Sequence, residues 1–483
     1  MNHRVIFRSV GTVLCIEAAC MLPSLLVAFI YREAAAVSFA ISIFILSAAG
    51  FALLSIKTPI TRIYPRDGFA VVALSWIFVS VFGALPFMLS GSIPSIIDAF
   101  FESASGFSTT GASILRDVES LPKSILFWRS FTHWMGGMGV LILMIAILPS
   151  VNPSIINIMK AESTGPSPGK FVPKIRQTAE ILYIIYVLLT AINVVLLLAG
   201  GMPLYDALLN AFGTAGTGGF SIRNASISAY DSVYIETIIT IFMFLFGVNF
   251  TLYFMVFKRN IKSFLCDEEL RFYLGIVLSA IVIIVINIYN TVYQSVGESI
   301  RYAAFQVSSV ITTTGYATAD FNTWPVLSQI ILILLMFIGA NAGSTAGGIK
   351  CIRVLLLFKI IKREIARINH PRAVQTVKLN GRIVDEETLS GTMAFFFFWI
   401  LIFSLSVLLV SLESKDLITS TTAVIATLNN IGPGLGMVGP TGNYADFSVF
   451  SKAVLSICMI VGRLEIYPIM LLFVPSFWKR SSI

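Results

Sequence analysis

Charge is scarce in this chain of 483 residues: Asp, Glu, Lys and Arg make up 12% of it, against about 25% in a soluble globular domain. A water-solvated globule with an ordinary polar surface is therefore excluded. Histidine is scarcer still, with three residues, and the five cysteines (Cys15, Cys20, Cys266, Cys351 and Cys458) show no CxxC spacing. A zinc site or metal enzyme thus lacks its ligand cluster. No cysteine falls in an expected outer loop, so disulfides are not expected and the thiols read as apolar filler in helices.

Nucleotide motifs fail on context. The stretch GLGMVG at 434–439 matches G-x-G-x-x-G, but that motif has meaning only between a strand and a helix. Here it would follow a membrane half-helix. GPSPGKF at 165–171 has the wrong spacing for a P-loop, and Phe171 stands where Ser or Thr is required. No organic cofactor and no enzymatic activity are expected.

What the chain has is apolar length. Hydrophobic residues make up 57% of it, and the runs 9–30, 35–56, 68–90, 178–200, 232–257, 270–290 and 388–412 reach the roughly 20 residues that span a bilayer. The first run, about 22 residues long, exceeds the 7–15 of a signal-peptide core, and a second span follows at once. It reads as a retained helix despite the small residues Ala34 to Ala36. The net charge of +8 would suit nucleic acid, but its placement does not. With a cytoplasmic N-terminus, 23 of the 33 Lys and Arg fall on the inner side, among them Arg4, Arg8, Lys57, Arg62, Arg66, Lys160, Lys174, Lys258, Arg259, Lys362, Arg363, Lys479 and Arg480. Eight fall outside, and Lys350 and Arg463 lie within spans. This is the positive-inside bias, with the lipid bilayer rather than nucleic acid as partner and both termini cytoplasmic.

A pattern recurs about every hundred residues. DAFFESASGFSTTGAS (98–113), DALLNAFGTAGTGGFS (206–221), YAAFQVSSVITTTGYA (302–317) and TSTTAVIATLNNIGPG (419–434) align without gaps, and their fourteenth positions are Gly111, Gly219, Gly315 and Gly432. Pro94 and Pro203 lead the first two copies, as suits the first turn of a helix. Each copy follows a span, enters a helix of about 12 residues, too short to cross, and returns through another span. The expected class is an all-α polytopic membrane protein with two leading transmembrane helices and four parallel helix–pore-helix–loop–helix repeats around a pseudo-fourfold central pore. The expected divisions are 1–66 for the leading helices, then 67–157, 158–265, 266–385 and 386–483. Parallel repeats contrast with the inverted repeats of many secondary transporters.

Non-helical backbone at membrane depth must be buried in protein or line a watery cavity. Backbone carbonyls can replace a cation's hydration shell without holding it permanently. Aiming successive carbonyls at one axis needs left-handed dihedrals, which glycine adopts freely. Thr109, Thr110, Thr217, Thr313 and Thr314 can add oxygens or brace the loop, and the half-helix C-termini favour a cation. The expected filter is Thr110–Gly111, Gly218–Gly219, Thr314–Gly315 and Ile431–Gly432. Small residues at helix contacts would explain one such copy, but not four at a shared position.

A second feature is GANAGSTAGGIK, following the apolar 324–338. Its four glycines would each weaken a helix by about 1 kcal/mol, so 339–348 reads as a loop within the membrane, below the filter. The expected gate comprises Gly343, Ser344, Thr345, Gly347, Gly348, Lys350 and Arg463. A membrane-buried cation costs about 2.5–3.5 kcal/mol on insertion scales. Arg463 is expected at the pore axis as an electrostatic barrier facing 343–348, the alternative being a side chain that snorkels to the inner interface. Pairing with Glu465 is disfavoured because i,i+2 residues face apart. Lys350 reads either as part of the gate or as a side chain snorkelling to the inner interface. Glu102 lies in the first half-helix, with Arg129 and His133 on the next helix, and reads either as a structural Glu–Arg pair or as an ion-attracting group. Asp98 and Asp206 read as helix caps. The basic segments 359–382 and 165–176 are positive-inside loops or docking surfaces for acidic lipid or a regulatory subunit.

The motifs ESASGFSTTGAS, GTGGFS, TTTGYAT, ATLNNIGPGLG, GSTAGGIK, GRLEIYP and HPRAV together resemble the TrkH/TrkG type of bacterial potassium uptake protein, within the Trk/Ktr/HKT superfamily, over essentially the whole chain. The resemblance implies K⁺ as the transported ion, a homodimer, a cytoplasmic nucleotide-binding regulatory subunit of the TrkA kind, and an inner-membrane location. It also implies a gating role for 339–348. With one recurring glycine per copy, and copies two and four lacking threonine before it, a shorter and less uniform filter than in potassium channels is expected. The alternative activity is a symporter coupling K⁺ to H⁺ or Na⁺, for which Glu102, His133 and Glu465 are the nearby titratable candidates. A membrane-embedded scaffold or enzyme would be set apart by lack of ion flux.

Overall fold

The computed structural model describes residues 3–57, 65–139 and 175–478. Among them, α1 (His3–Cys20) and α2 (Leu22–Ile30) form one span that shifts at Met21, and α3 (Ala35–Leu54) returns beside it. The helices meet through glycines: a methyl on Gly11 would fall 2.7 Å from Cβ of Leu53, and one on Gly50 would run into Cys15. Small residues let backbones approach closely where lipid supplies no hydrophobic drive. Outward, Phe29, Phe44 and Phe51 stay exposed, a surface that suits acyl chains.

Next come α4 (Pro65–Gly83), the half-helix α5 (Ile96–Phe107) and α6 (Lys123–Gly137). The second copy has α7 (Ile175–Ala199), the half-helix α8 (Leu204–Gly216), α9 (Val233–Phe246) and α10 (Phe250–Phe257). The third has α11 (Glu268–Ile288), the half-helix α12 (Val296–Ile311), α13 (Val326–Phe337) and α14 (Cys351–Asn369). The fourth has α15 (Glu386–Ser411), the half-helix α16 (Leu417–Leu428) and α17 (Val449–Arg463). Six described segments are long and apolar enough to cross a membrane, seven if α9 and α10 count as one. The chain is thus an all-α polytopic membrane protein. The boundary at 157/158, Arg62, Lys160, Lys174, Lys479, Arg480 and most of 165–176 lie outside the described residues.

Three expectations change. The run 232–257 is not one straight span, because α9 and α10 are bent by 91° at 247–249, where Gly247 ends one helix and Asn249 caps the next through Thr251 N at 2.8 Å. Hydropathy is uniform across that point, so only the polar Asn249 marked it. The third half-helix has 16 residues rather than about 12. Proline does not occupy the first turn: Pro203 holds the N-cap position of α8, and Pro94 precedes the N-cap Ser95 of α5.

The largest buried cluster joins the leading helices to the first and fourth copies through Phe39, Trp76, Phe107, Trp128 and Met459. A second cluster gathers the third copy around Tyr273, Val307 and Met336, and reaches Ile425 and Ile431 of the fourth. A small hairpin pairs β1 (Lys378–Leu379) with β2 (Arg382–Ile383). Its Asn380–Gly381 turn is left-handed at both positions, as tight hairpins demand.

Two glycines separate packing from propensity. A methyl on Gly462 would enter the Leu428 carbonyl, whereas one on Gly391 meets nothing within 4 Å. Gly462→Ala should destabilise by about 1–3 kcal/mol through overpacking, and Gly391→Ala should stabilise by about 0.5–1 kcal/mol. Thermal unfolding in detergent reads both, and equal melting temperatures would contradict the packing described.

Candidate functional site

All four half-helices end in the same way. Thr110, Gly218, Thr314 and Ile431 donate their amides to Ser105, Gly213, Ser309 and Ala426, five residues back, at 2.9, 2.9, 2.8 and 2.8 Å. This is the wide bond of a Schellman cap. The residue before each donor is left-handed: Thr109 (φ 56°), Thr217 (52°), Thr313 (56°) and Asn430 (57°). The residue after it is left-handed too: Gly111 (79°), Gly219 (75°), Gly315 (81°) and Gly432 (95°). Glycine takes this conformation freely, but threonine does so at a cost of about 1–3 kcal/mol, the kind of local strain found at functional positions. The backbone path therefore repeats even in copies two and four, whose side chains depart from threonine.

The four turns close into a ring. A methyl on Gly111 would run into the carbonyl oxygen of Gly218, one on Gly219 into that of Thr314, and one on Gly315 into that of Ile431. A methyl on Gly432 would fall 2.7 Å from the carbonyl oxygen of Thr110, back in the first copy. The structure thus brings all eight expected filter residues together in the order of the chain. Each glycine is required twice, by its positive φ and by its neighbour's carbonyl.

Threonine hydroxyls brace this ring, except that of Thr109, which has no hydrogen-bond partner among the described residues. Thr110 Oγ1 lies 2.7 Å from Ser108 Oγ and accepts from Asn430 Nδ2 at 2.9 Å, while Thr314 and Thr312 hydroxyls meet at 2.8 Å. Thr217 bonds the Gly216 carbonyl at 2.7 Å. Glu102 and Arg129 form a buried ion pair at 2.6 Å. Glu102 also accepts from Ser113 and from Ile114 N, and Arg129 donates to the Ser221 carbonyl at 2.9 Å while lying over the Phe220 ring. That clamp joins the chain after Gly111 to the chain after Gly219. His133 Nδ1 reaches the Gly106 carbonyl at 2.9 Å, and its Nε2 accepts from Phe220 N at 3.2 Å, an arrangement that fits neutral imidazole. Tyr444 donates to the Gly432 carbonyl at 2.7 Å, and Tyr316 to that of Asn210 at 3.0 Å. Outside the spans, Asn224 clasps Asp117, and this hydrogen bond holds the Asp117 carboxyl below its ordinary range.

Beneath the ring lies 339–348, which is non-helical as expected. Ile338 and Ile349 pair at its neck, with Gly339 N on the Ile349 carbonyl at 2.7 Å. The broken α9–α10 helix receives the loop: Asn341 N donates to Gly247 O at 3.1 Å, Thr345 Oγ1 to Phe246 O at 3.2 Å, and Phe250 N to Gly343 O at 3.0 Å. Glu269 accepts from Ala342 N at 2.6 Å and Ile352 N at 3.1 Å. Gly347 N donates to Thr313 Oγ1 at 2.7 Å, joining the loop to the third copy's turn. Gly343 and Gly348 are left-handed at φ 69°. Ser344 turns back on the Asn341 carbonyl at 2.7 Å.

Both cations of this region are buried. Arg463 donates to the carbonyls of Thr345 and Gly137, each at 2.8 Å, and to that of Gly136. It therefore ties the loop to the end of α6. Lys350 does not snorkel: it is 1% exposed and its ammonium turns to the Ala346 carbonyl. Glu465 pairs with Arg353. Asp98 and Asp206 sit in the first turns of α5 and α8, where the dipole favours them, but the N-cap positions belong to Ser95 and Pro203. Both acids also have side-chain partners: Asp98 pairs with Lys452 at 2.7 Å, and Asp206 accepts from Tyr230 at 3.0 Å and Arg223 at 3.4 Å.

Sequence reasoning missed Gly247, Asn249, Glu269 and Asn430. Asn430 carried a signal, since asparagine tolerates the left-handed region. Glu269 gave none, because an acid at the start of a span reads as ordinary. The Oδ1 atoms of Asn429 and Asn430 and the Asn341 carboxamide have no hydrogen-bond partner among the described residues. Also among these residues, no group of three or more His, Cys, Asp or Glu could hold a metal ion. Ion coordination here would use backbone and amide oxygens.

Residues 35–480 match the family model TrkH, described as a cation transport protein. The Trk system potassium uptake protein TrkH of Salmonella typhimurium is 39% identical over 99% of this chain and 100% of its own. TrkG of Escherichia coli is 35% identical, with 99% of each chain covered. The crystal structure of the potassium transporter TrkH from Vibrio parahaemolyticus superposes with a TM-score of 0.90 at 36% identity, covering 99% of this chain and all of that one.

Removing Glu269 would leave two buried amides without an acceptor, at about 1–3 kcal/mol each. Glu269→Ala should speed thiol labelling of a Ser344→Cys reporter, whereas Glu269→Gln, which keeps an acceptor oxygen, should not. Equal labelling rates in all three backgrounds would contradict this anchoring.

Proposed function

The chain belongs to the TrkH family of cation transport proteins, and on that premise we propose that it is a potassium uptake pore of the bacterial inner membrane. In this reading the carbonyls around Gly111, Gly219, Gly315 and Gly432 strip and replace the ion's hydration shell. The observation that carries it is the closed ring, with the same left-handed pair and cap bond in every copy. Oxygens fixed by such caps need little reorganisation when an ion arrives, and four weak ligand sets let it leave. The names of the relatives, potassium uptake proteins, support K⁺ as cargo.

The gate is 339–348 with Lys350 and Arg463. The loop fills the space under the ring, and Arg463 places a fixed positive charge against it, unfavourable to a passing cation. Opening exchanges the bonds of Thr345, Gly347 and Ala342 for others. Because Lys350 leads directly into α14, a pull on that helix is the natural drive. Its basic continuation, 359–382, would dock a cytoplasmic nucleotide-binding subunit of the TrkA kind, with the pore acting as a homodimer and both termini in the cytoplasm. Coupled symport is less favoured: Glu102 is bound to Arg129, Glu465 to Arg353, and both His133 nitrogens are engaged.

Liposomes containing the purified protein test this through ⁸⁶Rb⁺ uptake with Na⁺ as competitor. Gly315→Ser should admit more Na⁺ relative to Rb⁺, and an unchanged ratio would remove the filter assignment. Arg463→Ala should raise flux in the absence of any partner. Equal or lower flux with normal folding would count against the gate, and reversal potentials set by a second ion gradient would favour symport.

A further inference from the structure

Glu17 is an acid that neither the ring nor the gate uses. It stands near the middle of the His3–Ile30 span and is 2% exposed, and neither carboxyl oxygen has a hydrogen-bond partner among the described residues. The hydroxyl of Ser103, fully buried on half-helix α5, also lacks a partner there. The two face each other across Gly83. A methyl built on Gly83 would lie 2.5 Å from Phe107 Cε2, 2.8 Å from Ser103 Oγ and 3.1 Å from Glu17 Oε1, so the two polar groups border one small gap beside this glycine. The Gly83 carbonyl is already taken by the Trp128 indole at 3.0 Å.

Among the described residues, no cation pairs with this acid. Helices α2 and α3 carry no charged residue. On α1, His3, Arg4 and Arg8 lie toward the opposite end and only Cys20 is a near neighbour, while Arg66 and Asp67 lie at the far end of α4. On α5, Asp98 is held by Lys452 and Glu102 by Arg129. On α6, Lys123 lies at the first turn, Arg129 is in that pair and His133 is engaged at both nitrogens. An isolated carboxylate in such surroundings is so unfavourable that the group takes up a proton instead. A resident metal cation would need several more oxygens than Glu17 and Ser103 supply.

We propose that Glu17 and Ser103 form a proton-binding site at mid-membrane depth, behind the first half-helix. The two are not hydrogen-bonded to each other in this structure; protonation gives the carboxyl an O–H that the Ser103 hydroxyl can accept, which would link α1 to the helix whose turn carries Gly111. Loss of the proton leaves a carboxylate with one hydroxyl and no counter-charge beside it, which favours entry of water between α1 and α5. The consequence for flux rests on the pore reading above: uptake depends on pH through the seating of α5. The proton stays with the protein and is not carried with the ion, because α5 stands between Glu17 and the ring.

Infrared difference spectroscopy of the full-length protein across a pH series reads the site directly. A protonated-carboxyl carbonyl band that titrates in wild type, persists in Glu17→Asp and is absent in Glu17→Gln is expected. In liposomes, Glu17→Gln should reduce the pH dependence of ⁸⁶Rb⁺ uptake several-fold while still transporting. A wild-type spectrum with no band lost in Glu17→Gln would overturn the site. A band removed by Na⁺ at constant pH would overturn the choice of proton over metal cation. A titrating band with an unchanged uptake profile would overturn the coupling. If no variant transports Rb⁺, the pore reading fails while the spectra still decide the site.

Discussion

A backbone that leaves the helix inside a membrane has to find its hydrogen bonds within the protein, because lipid offers none. That constraint organises this molecule. The segment 339–348 is non-helical between two apolar helices; backbone groups of it are met by Gly247, Phe250, Glu269, Thr313 and Arg463, and its Thr345 hydroxyl by the Phe246 carbonyl. The α9–α10 break is its complement: each interrupted helix supplies orphan groups that the other interruption uses. Neither break would be tolerable alone. The same requirement fixes the half-helices, which end in caps that answer their own carbonyls and turn the chain inward.

The ring and the loop are therefore one hydrogen-bonded unit. Gly347 reaches Thr313, itself one of the left-handed residues that shape the ring, and Asn430 reaches Thr110 across the join between fourth and first copies. Arg463 extends the unit to the end of α6. Removing the loop from beneath the ring thus disturbs the turn of the third copy first. In the proposed function this gives gate and filter a shared residue, and opening would be felt by selectivity at the third copy.

The glycines of the ring were legible because they recur at one position in four gapless segments, each behind a helix too short to span. Their reason was half legible: positive φ follows from glycine, but the neighbouring carbonyl that forbids a side chain belongs to another copy a hundred residues away. The loop 339–348 was legible from its four glycines. The break in 232–257 was not, since Phe246 to Phe250 reads as apolar helix apart from Asn249. Charges were the least legible. Asp98, near a helix start, found Lys452 in a segment distant in sequence, whereas Lys350, at the start of α14, turned back to the Ala346 carbonyl four residues away. Glu17 sat in plain view within an apolar run, yet its isolation depends on what the surrounding helices lack.

The central claim is that the four glycine turns hold a dehydrated monovalent cation on a common axis. Anomalous diffraction from crystals grown in Rb⁺ tests it most directly. The account predicts a peak among the carbonyl oxygens of Thr110, Gly218, Thr314 and Ile431, lost or displaced in Gly315→Ser. A fully occupied Rb⁺ site elsewhere, with none inside the ring, would contradict it.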